Sequence, residues 1–323
     1  MYHDLTLRDG SHAIKHKLSA ETIERYCKFA ESVGIEVIEV GHGNGLGASS
    51  ILIGESLLSD SEMLRVAKKN LKNTKLSVHI IPGIATVSRD VDQAISIGVD
   101  IFRIACHCTE ATVTKTHIEY LSSKGKTVLG VLMMAALCSI DTLVEEALKM
   151  KSYGVSGIIV MDSTGSFVPS DVSVRISRLV KEVCLPIGFH GHNNMHLAVA
   201  NSLSAIEAGA SIIDVTFRGF GAGAGNTPFE VMANLAPQKS LDVEKVLDFC
   251  EKFEFSAPEC KPVNLLTAKY KLFSGFEKHI LEASKTYGVS IHRLTRELGE
   301  RKLVAGQEDL VRVIAQSLET FQK

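Results

Sequence analysis

No apolar run in the chain approaches the ~20 residues that a membrane-spanning helix needs, so a globular protein with no such helix is expected. Excess positive charge is missing as well. Against 35 Lys and Arg stand 37 Asp and Glu, for a net charge of -2, so nothing in the overall balance would hold a phosphate backbone. Nucleic acid is excluded as a partner on that ground. Paired CxxC spacing is absent too: the seven cysteines, at 27, 106, 108, 138, 184, 250 and 260, are an odd, scattered set that reads as reduced thiols. Cys106-His107-Cys108 is expected to be an ordinary buried segment whose two thiols face opposite sides of a strand. The start, Met1-Tyr2-His3-Asp4-Leu5, has neither the basic residues nor the apolar core of a secretory signal, so a cytoplasmic address is expected.

What the chain does contain is repetition. Val33-Gly34-Ile35-Glu36-Val37-Ile38-Glu39-Val40 returns at Ile97–Ile104, at Tyr153–Val160 and at Ala208–Val215, each time as a glycine followed by a β-branched run. The glycine fits the left-handed cap that ends a helix, and the run after it reads as a strand buried on both faces, as in parallel sheets. Filling the gaps predicts strands at Tyr2–Leu7, Ile35–Val40, Lys75–Ile81, Ile101–Ala105, Thr127–Met133, Gly157–Met161, Pro186–Phe189 and Ile212–Thr216. Amphipathic segments lie between them, such as Ser19–Ser32 and Ser139–Ser152, both opened by a capping serine. Eight such units predict an α/β fold, a closed (β/α)8 TIM barrel, which fills ~250 residues as one unit. An open doubly wound sheet would carry a glycine-rich phosphate loop after the first strand, and Arg8-Asp9-Gly10-Ser11-His12 is not one. The division expected is a catalytic barrel over 1–237 and a C-terminal helical extension over 238–323. Its helices are predicted near Val243–Phe253, Lys261–Gly275, Phe276–Tyr287 and Ser290–Leu298 and from Gln307 onward. That extension caps the barrel or builds a subunit interface, which leaves a homo-oligomer open.

In such a barrel the loops after the strands carry the chemistry. Those positions hold Arg8, Asp9 and His12, then Glu39, His42 and Asn44, then His107, Asp162, Ser163, His190, His192, Arg218 and Asn226. Phe189-His190-Gly191-His192 is the sharpest element, because two histidines two apart on an extended segment point to one side and can share a cation. Barrel closure brings Asp9 beside them. One carboxylate and two imidazoles suit Mn²⁺, Co²⁺, Mg²⁺ or Zn²⁺ with positions left open for substrate. Hydrogen-bonded histidines are the structural alternative. Arg8 is either a plain ion pair with Asp9 or a fixed donor to a developing enolate oxygen. His12, in a loop, is the candidate general base, with a solvated surface histidine as its alternative. Gly219–Asn226 is too rich in glycine for a helix and reads as a lid or an anion cradle.

Four motifs in order, Asp4-Leu5-Thr6-Leu7-Arg8-Asp9-Gly10-Ser11-His12, His190-Gly191-His192, Gly221–Asn226 and Gly306-Gln307-Glu308-Asp309, resemble the 4-hydroxy-2-oxovalerate aldolases. These belong to the superfamily of hydroxymethylglutaryl-CoA lyase and isopropylmalate synthase. The resemblance covers almost the whole chain. It implies that Asp9, His190 and His192 bind a divalent metal, usually manganese, and that the metal and Arg8 hold a pyruvate-like 2-oxo acid. It implies further that Ser163 contacts substrate and that His12 takes the proton of the 4-hydroxyl, giving pyruvate and an aldehyde. Members carry an active-site tyrosine where this chain has Phe273, with Tyr270 the nearest other phenol and Asn226 a further candidate contact. An acylating acetaldehyde dehydrogenase commonly accompanies the family. An acyl-CoA lyase or Claisen synthase would share the metal ligands, but those lyases place a cysteine in the glycine-rich loop and Gly219–Asn226 has none. A non-catalytic scaffold barrel is the alternative from outside enzymology.

Overall fold

The computed structural model describes residues 1–320, so the last three positions of the expected helical extension lie outside it. Eight parallel strands close on themselves in sequence order: β1 (Tyr2–Leu7), β2 (Val37–Val40), β3 (Lys75–Ile80), β4 (Ile101–His107), β5 (Thr127–Met133), β6 (Gly157–Asp162), β7 (Ile187–Gly191) and β8 (Ile212–Val215). Closure comes from β1 against β8, with His3 level with Asp214. The chain is thus a (β/α)8 TIM barrel with C-terminal helices.

The repeated glycines end the helices between the strands. α1 (Ala20–Val33) starts at Ser19, whose side chain accepts from the Thr22 N–H, and stops at Gly34 with φ 82°. A Cβ there would meet the Ser240 carbonyl oxygen at 2.2 Å, so a side chain is barred by space as well as by conformation. α5 (Ile140–Tyr153) repeats the device, from Ser139 to Gly154 with φ 110°. Alternation along each strand then sorts its side chains into two layers. In β4, Phe102, Ile104 and Cys106 face the surrounding helices, where they join the main apolar cluster. Ile101 and Ala105 face the barrel axis and pack with Leu129, Val131, Ile159 and Ile212 in a small interior core. Cys108 joins Cys106 in the outer layer, which corrects the expectation that the two thiols face apart: positions two apart share a face.

Strand ends depart from the sequence reading where pairing decides them. β2 begins at Val37 because the Ile35 N–H is still bonded to Ala30 O at 3.1 Å, finishing the helix exit. β7 runs on to Gly191, since His190 and Gly191 pair with Met161 and Asp162 of β6. The strand itself therefore orients His190.

After the barrel come α9 (Val243–Cys250), α10 (Pro262–Lys269), α11 (Glu277–Tyr287), α12 (Ile291–Glu300) and α13 (Glu308–Thr320). Val246 of α9 and Phe253 belong to the barrel's outer apolar layer. Val263, Leu272, Phe276, Ile280, Leu294 and Val311 form a separate core among the later helices. The continuous helix expected over Lys261–Gly275 stops instead at Lys269. Lys271 turns left-handed at φ 53°, and Ser274 is carried back to the barrel, where its N–H and its hydroxyl each donate to Ser163 O at 2.9 Å. Asn194, from the loop after β7, donates to Ser274 Oγ at 3.1 Å and to Thr267 Oγ1 at 3.2 Å, and accepts the Ala224 N–H. Among the described residues, no helix is long and apolar enough to cross a membrane.

Candidate active site

Asp9, His190 and His192 converge at the mouth formed by the strand ends. One ligand atom from each lies within 4.8 Å of the others, and all three side chains are buried. The hydrogen bonds behind the rings fix which nitrogen faces the cluster. His192 Nδ1 lies 3.0 Å from the Asp162 carbonyl oxygen, which can only accept, so Nδ1 carries the proton and Nε2 presents a lone pair. His190 Nδ1 contacts Asp214 Oδ2 at 3.0 Å, with the same consequence. Both Nε2 atoms are buried without a hydrogen-bond partner. Buried polar atoms left unsatisfied are costly, and this pair meets the requirement for imidazole ligands held by outer partners. Burial holds His192 down to about 3, so the ring is neutral and able to ligate.

Asp9 completes the set as an ionised carboxylate. Burial works to raise its pKa, but the Arg8 guanidinium beside it holds it well below the usual carboxylate range. Its Oδ1 accepts from Arg8 Nη1 at 2.6 Å, while Oδ2 accepts from Asn226 Nδ2 at 2.6 Å and from the Ala222 N–H at 3.2 Å. The glycine-rich segment thus lends a side chain and a backbone donor to Asp9. Arg8 is pinned from behind by Glu39 Oε1 at 2.6 Å and by Gly43 O at 3.2 Å. Its Nη2 is buried and unpartnered, and the residue lines a cavity of about 500 Å³ together with Asp9, His12, His192 and Phe273.

His12 is half-buried over Gly43, where a Cβ would come within 2.4 Å of its Nε2. Burial lowers its pKa and outweighs the pull of Asp9. Ser163 sits one step back from the cavity, its Oγ accepting the Met134 N–H at 2.9 Å. Phe273 does face the cavity. Tyr270 does not: it packs against the C-terminal core, over Gly299.

Some of the machinery was not singled out from sequence. His79, at the end of β3, is 3% exposed, lines the same cavity and keeps an unpartnered Nδ1. Asp214, inside β8, holds His190, and Arg103, inside β4, donates in turn to Asp214. Their signal in the sequence is an ionisable residue within a β-branched run, where a buried charge must find a partner.

A closed (β/α)8 barrel whose strand ends gather one carboxylate, two imidazoles and a guanidinium defines an enzyme of the barrel class with a cluster that could hold a metal ion. Residues 1–257 match the HMGL-like family and residues 258–320 match the DmpG-like communication domain; the chain belongs to the HMGL-like family. It is 46% identical to the 4-hydroxy-2-oxovalerate aldolase of Pectobacterium atrosepticum over 98% of this chain and 94% of that protein. It is 44% identical to the protein of the same name from Spirochaeta aurantia, over 98% of this chain and 95% of the other. Among solved structures, the carboxyl transferase domain of Rhizobium etli pyruvate carboxylase superposes with a TM-score of 0.82, covering 99% of this chain and 60% of that one. At 16% identity this match concerns the fold alone.

Proposed function

We propose that the protein is a divalent-metal-dependent aldolase that cleaves or forms 4-hydroxy-2-oxo acids, with pyruvate and an aldehyde as the other side of the reaction. The observation that carries this reading is the buried cluster of Asp9, His190 and His192, in which both Nε2 atoms lack a partner, with Arg8 bonded to Asp9 and its own Nη2 unpartnered. Asp9, His190 and His192 would hold the ion; the mixed oxygen and nitrogen set suits Mn²⁺, Co²⁺, Mg²⁺ or Zn²⁺, and the resemblance to the aldolases points to Mn²⁺ among them. When bound, such an ion supplies Lewis acidity toward a 2-oxo group.

The chain's own residues do the rest. His12, kept neutral by burial, accepts the proton of the 4-hydroxyl; as the C3–C4 bond breaks, its electron pair passes toward the C2 oxygen. Arg8 Nη2 donates to that oxygen as charge develops on it, and Glu39 and Gly43 hold the guanidinium so that little reorganisation is needed. Ser163 shapes the floor through its bond to the Met134 N–H. The aldehyde end meets Phe273, an apolar surface in place of a phenol.

Incubation with Mn²⁺ and 4-hydroxy-2-oxo acids is expected to release pyruvate, and a chelator is expected to stop it. Turnover of hydroxymethylglutaryl-CoA alone would instead assign an acyl-CoA lyase. Phe273→Tyr is expected to raise kcat/KM on short-chain 4-hydroxy-2-oxo acids relative to longer ones; an unchanged ratio would show that the ring does not set specificity. The match of residues 258–320 to a communication domain supports a partner that takes up the aldehyde, an acylating aldehyde dehydrogenase. Co-purification of the two enzymes tests that.

A further inference from the structure

Arg103 lies in the middle of β4, faces the barrel axis and is 0% exposed. The interior core that includes Ile101, Leu129, Ile159 and Ile212 is apolar, so packing alone does not call for a guanidinium in the barrel. It bonds Asp214 with two nitrogens: Nη1 donates to Oδ1 at 3.0 Å, and Nη2 donates to Oδ2. Nε stands 3.3 Å from Glu39 Oε2, an ion pair rather than an aligned hydrogen bond. Both partners have second tasks. Asp214 Oδ2 accepts from His190 Nδ1, and Glu39 Oε1 accepts from Arg8 Nε. The result is an unbroken buried ladder, Asp9, Arg8, Glu39, Arg103, Asp214, His190, in which every ionised rung touches opposite charge.

Burying five charged groups is expensive, and replacing such a network by apolar side chains is often neutral for stability, so fold stability is a weak account of it. Orientation is a better one. A bidentate guanidinium fixes the plane of Asp214, which fixes the His190 ring and its tautomer. The same guanidinium draws on Glu39 Oε2 and leaves Oε1 to Arg8. Without it, Glu39 Oε2 keeps only the long bond from the Ser77 hydroxyl at 3.4 Å, and the carboxylate can swing toward Arg8 and shift its guanidinium.

We propose that Arg103 is a positioning residue that holds the metal ligand His190 and the substrate-facing Arg8 in one register, so that metal affinity and 2-oxo acid affinity rise and fall together through it. This rests on the aldolase reading above and assigns Arg103 no contact with substrate.

The test is Mn²⁺ titration of metal-free protein, with free Mn²⁺ followed by electron paramagnetic resonance, alongside KM for pyruvate in the aldol direction. Arg103→Met is expected to weaken Mn²⁺ by about 10–100-fold, the range for loss of an outer partner, and to raise the pyruvate KM in the same protein. Asp214→Asn should shift chiefly the first quantity and Glu39→Gln chiefly the second. Arg103→Lys keeps the buried charge but cannot span two carboxylates, and it carries the test if Arg103→Met does not fold; it too should weaken both constants. Wild-type Mn²⁺ affinity and wild-type pyruvate KM in a folded Arg103 variant, even with a lowered Tm, would overturn the proposal and leave a merely structural role. No stoichiometric Mn²⁺ on the wild-type protein would overturn the metal reading itself, and the proposal with it.

Discussion

His12→Ala is expected to lower kcat by on the order of 10²–10⁴-fold, the usual cost of losing a general base, while metal content stays at the wild-type level. The two readouts separate because His12 is outside the ligand cluster, which among the described residues consists of Asp9, His190 and His192. Its place is set by Gly43 instead. Gly43 has an ordinary backbone conformation, so Gly43→Ala adds no torsional strain; it only forces a Cβ into the 2.4 Å gap to His12 Nε2. That substitution should therefore reproduce part of the His12→Ala loss with the imidazole still present. The pH profile follows from the same burial. Because desolvation lowers the His12 pKa, the ring remains the neutral base to below the ordinary value of ~6.5, and the acid limb of kcat/KM should fall under that value. Full activity in His12→Ala would remove His12 from the role of base.

His192→Ala is expected to lose the metal and with it all turnover. An outer partner's loss costs ~10–100-fold in affinity, and removal of a ligand should exceed that. Elemental analysis of the purified variant reads it directly. Thermal unfolding supplies a second measure: added Mn²⁺ should raise the Tm of the wild-type protein by mass action and leave that of the variant unmoved. The apo fold should change little, since the His192 contacts are one hydrogen bond to Asp162 O and ring packing on His190. A His192→Ala protein that retained stoichiometric metal would dissolve the proposed site.

Much of this was legible before any coordinates. Period and punctuation carried the barrel, because a glycine at a left-handed helix end followed by a β-branched run is a local signal repeated four times. His190 and His192 were legible because spacing on a strand translates directly into direction. The ladder was not, although its rungs sit in plain view. Glu39, Arg103 and Asp214 occupy the same place in three of the four repeated phrases, where the remaining one has Ile159. Sequence shows that each is an ion in an apolar strand; only closure of β1 on β8 shows that they meet. The break after Lys269 was hidden for a related reason. No proline or glycine marks it, and the left-handed Lys271 is sustained by what it permits, the return of Ser274 to Ser163.

The Ser274 knot has a consequence for how the two halves of the chain speak to each other. Asp9 and His192 come to the cavity from the barrel, but Phe273, Ala305 and Gly306, which also line it, come from the later part of the chain. Phe273 is the immediate neighbour of a residue tied at once to the loops after β6 and β7. A pull on the outer helices, from a docked partner or from a departing product, would reach the cavity through the few bonds that tie Thr267, Lys271 and Ser274 to the barrel loops, like a latch worked from the far side of a door.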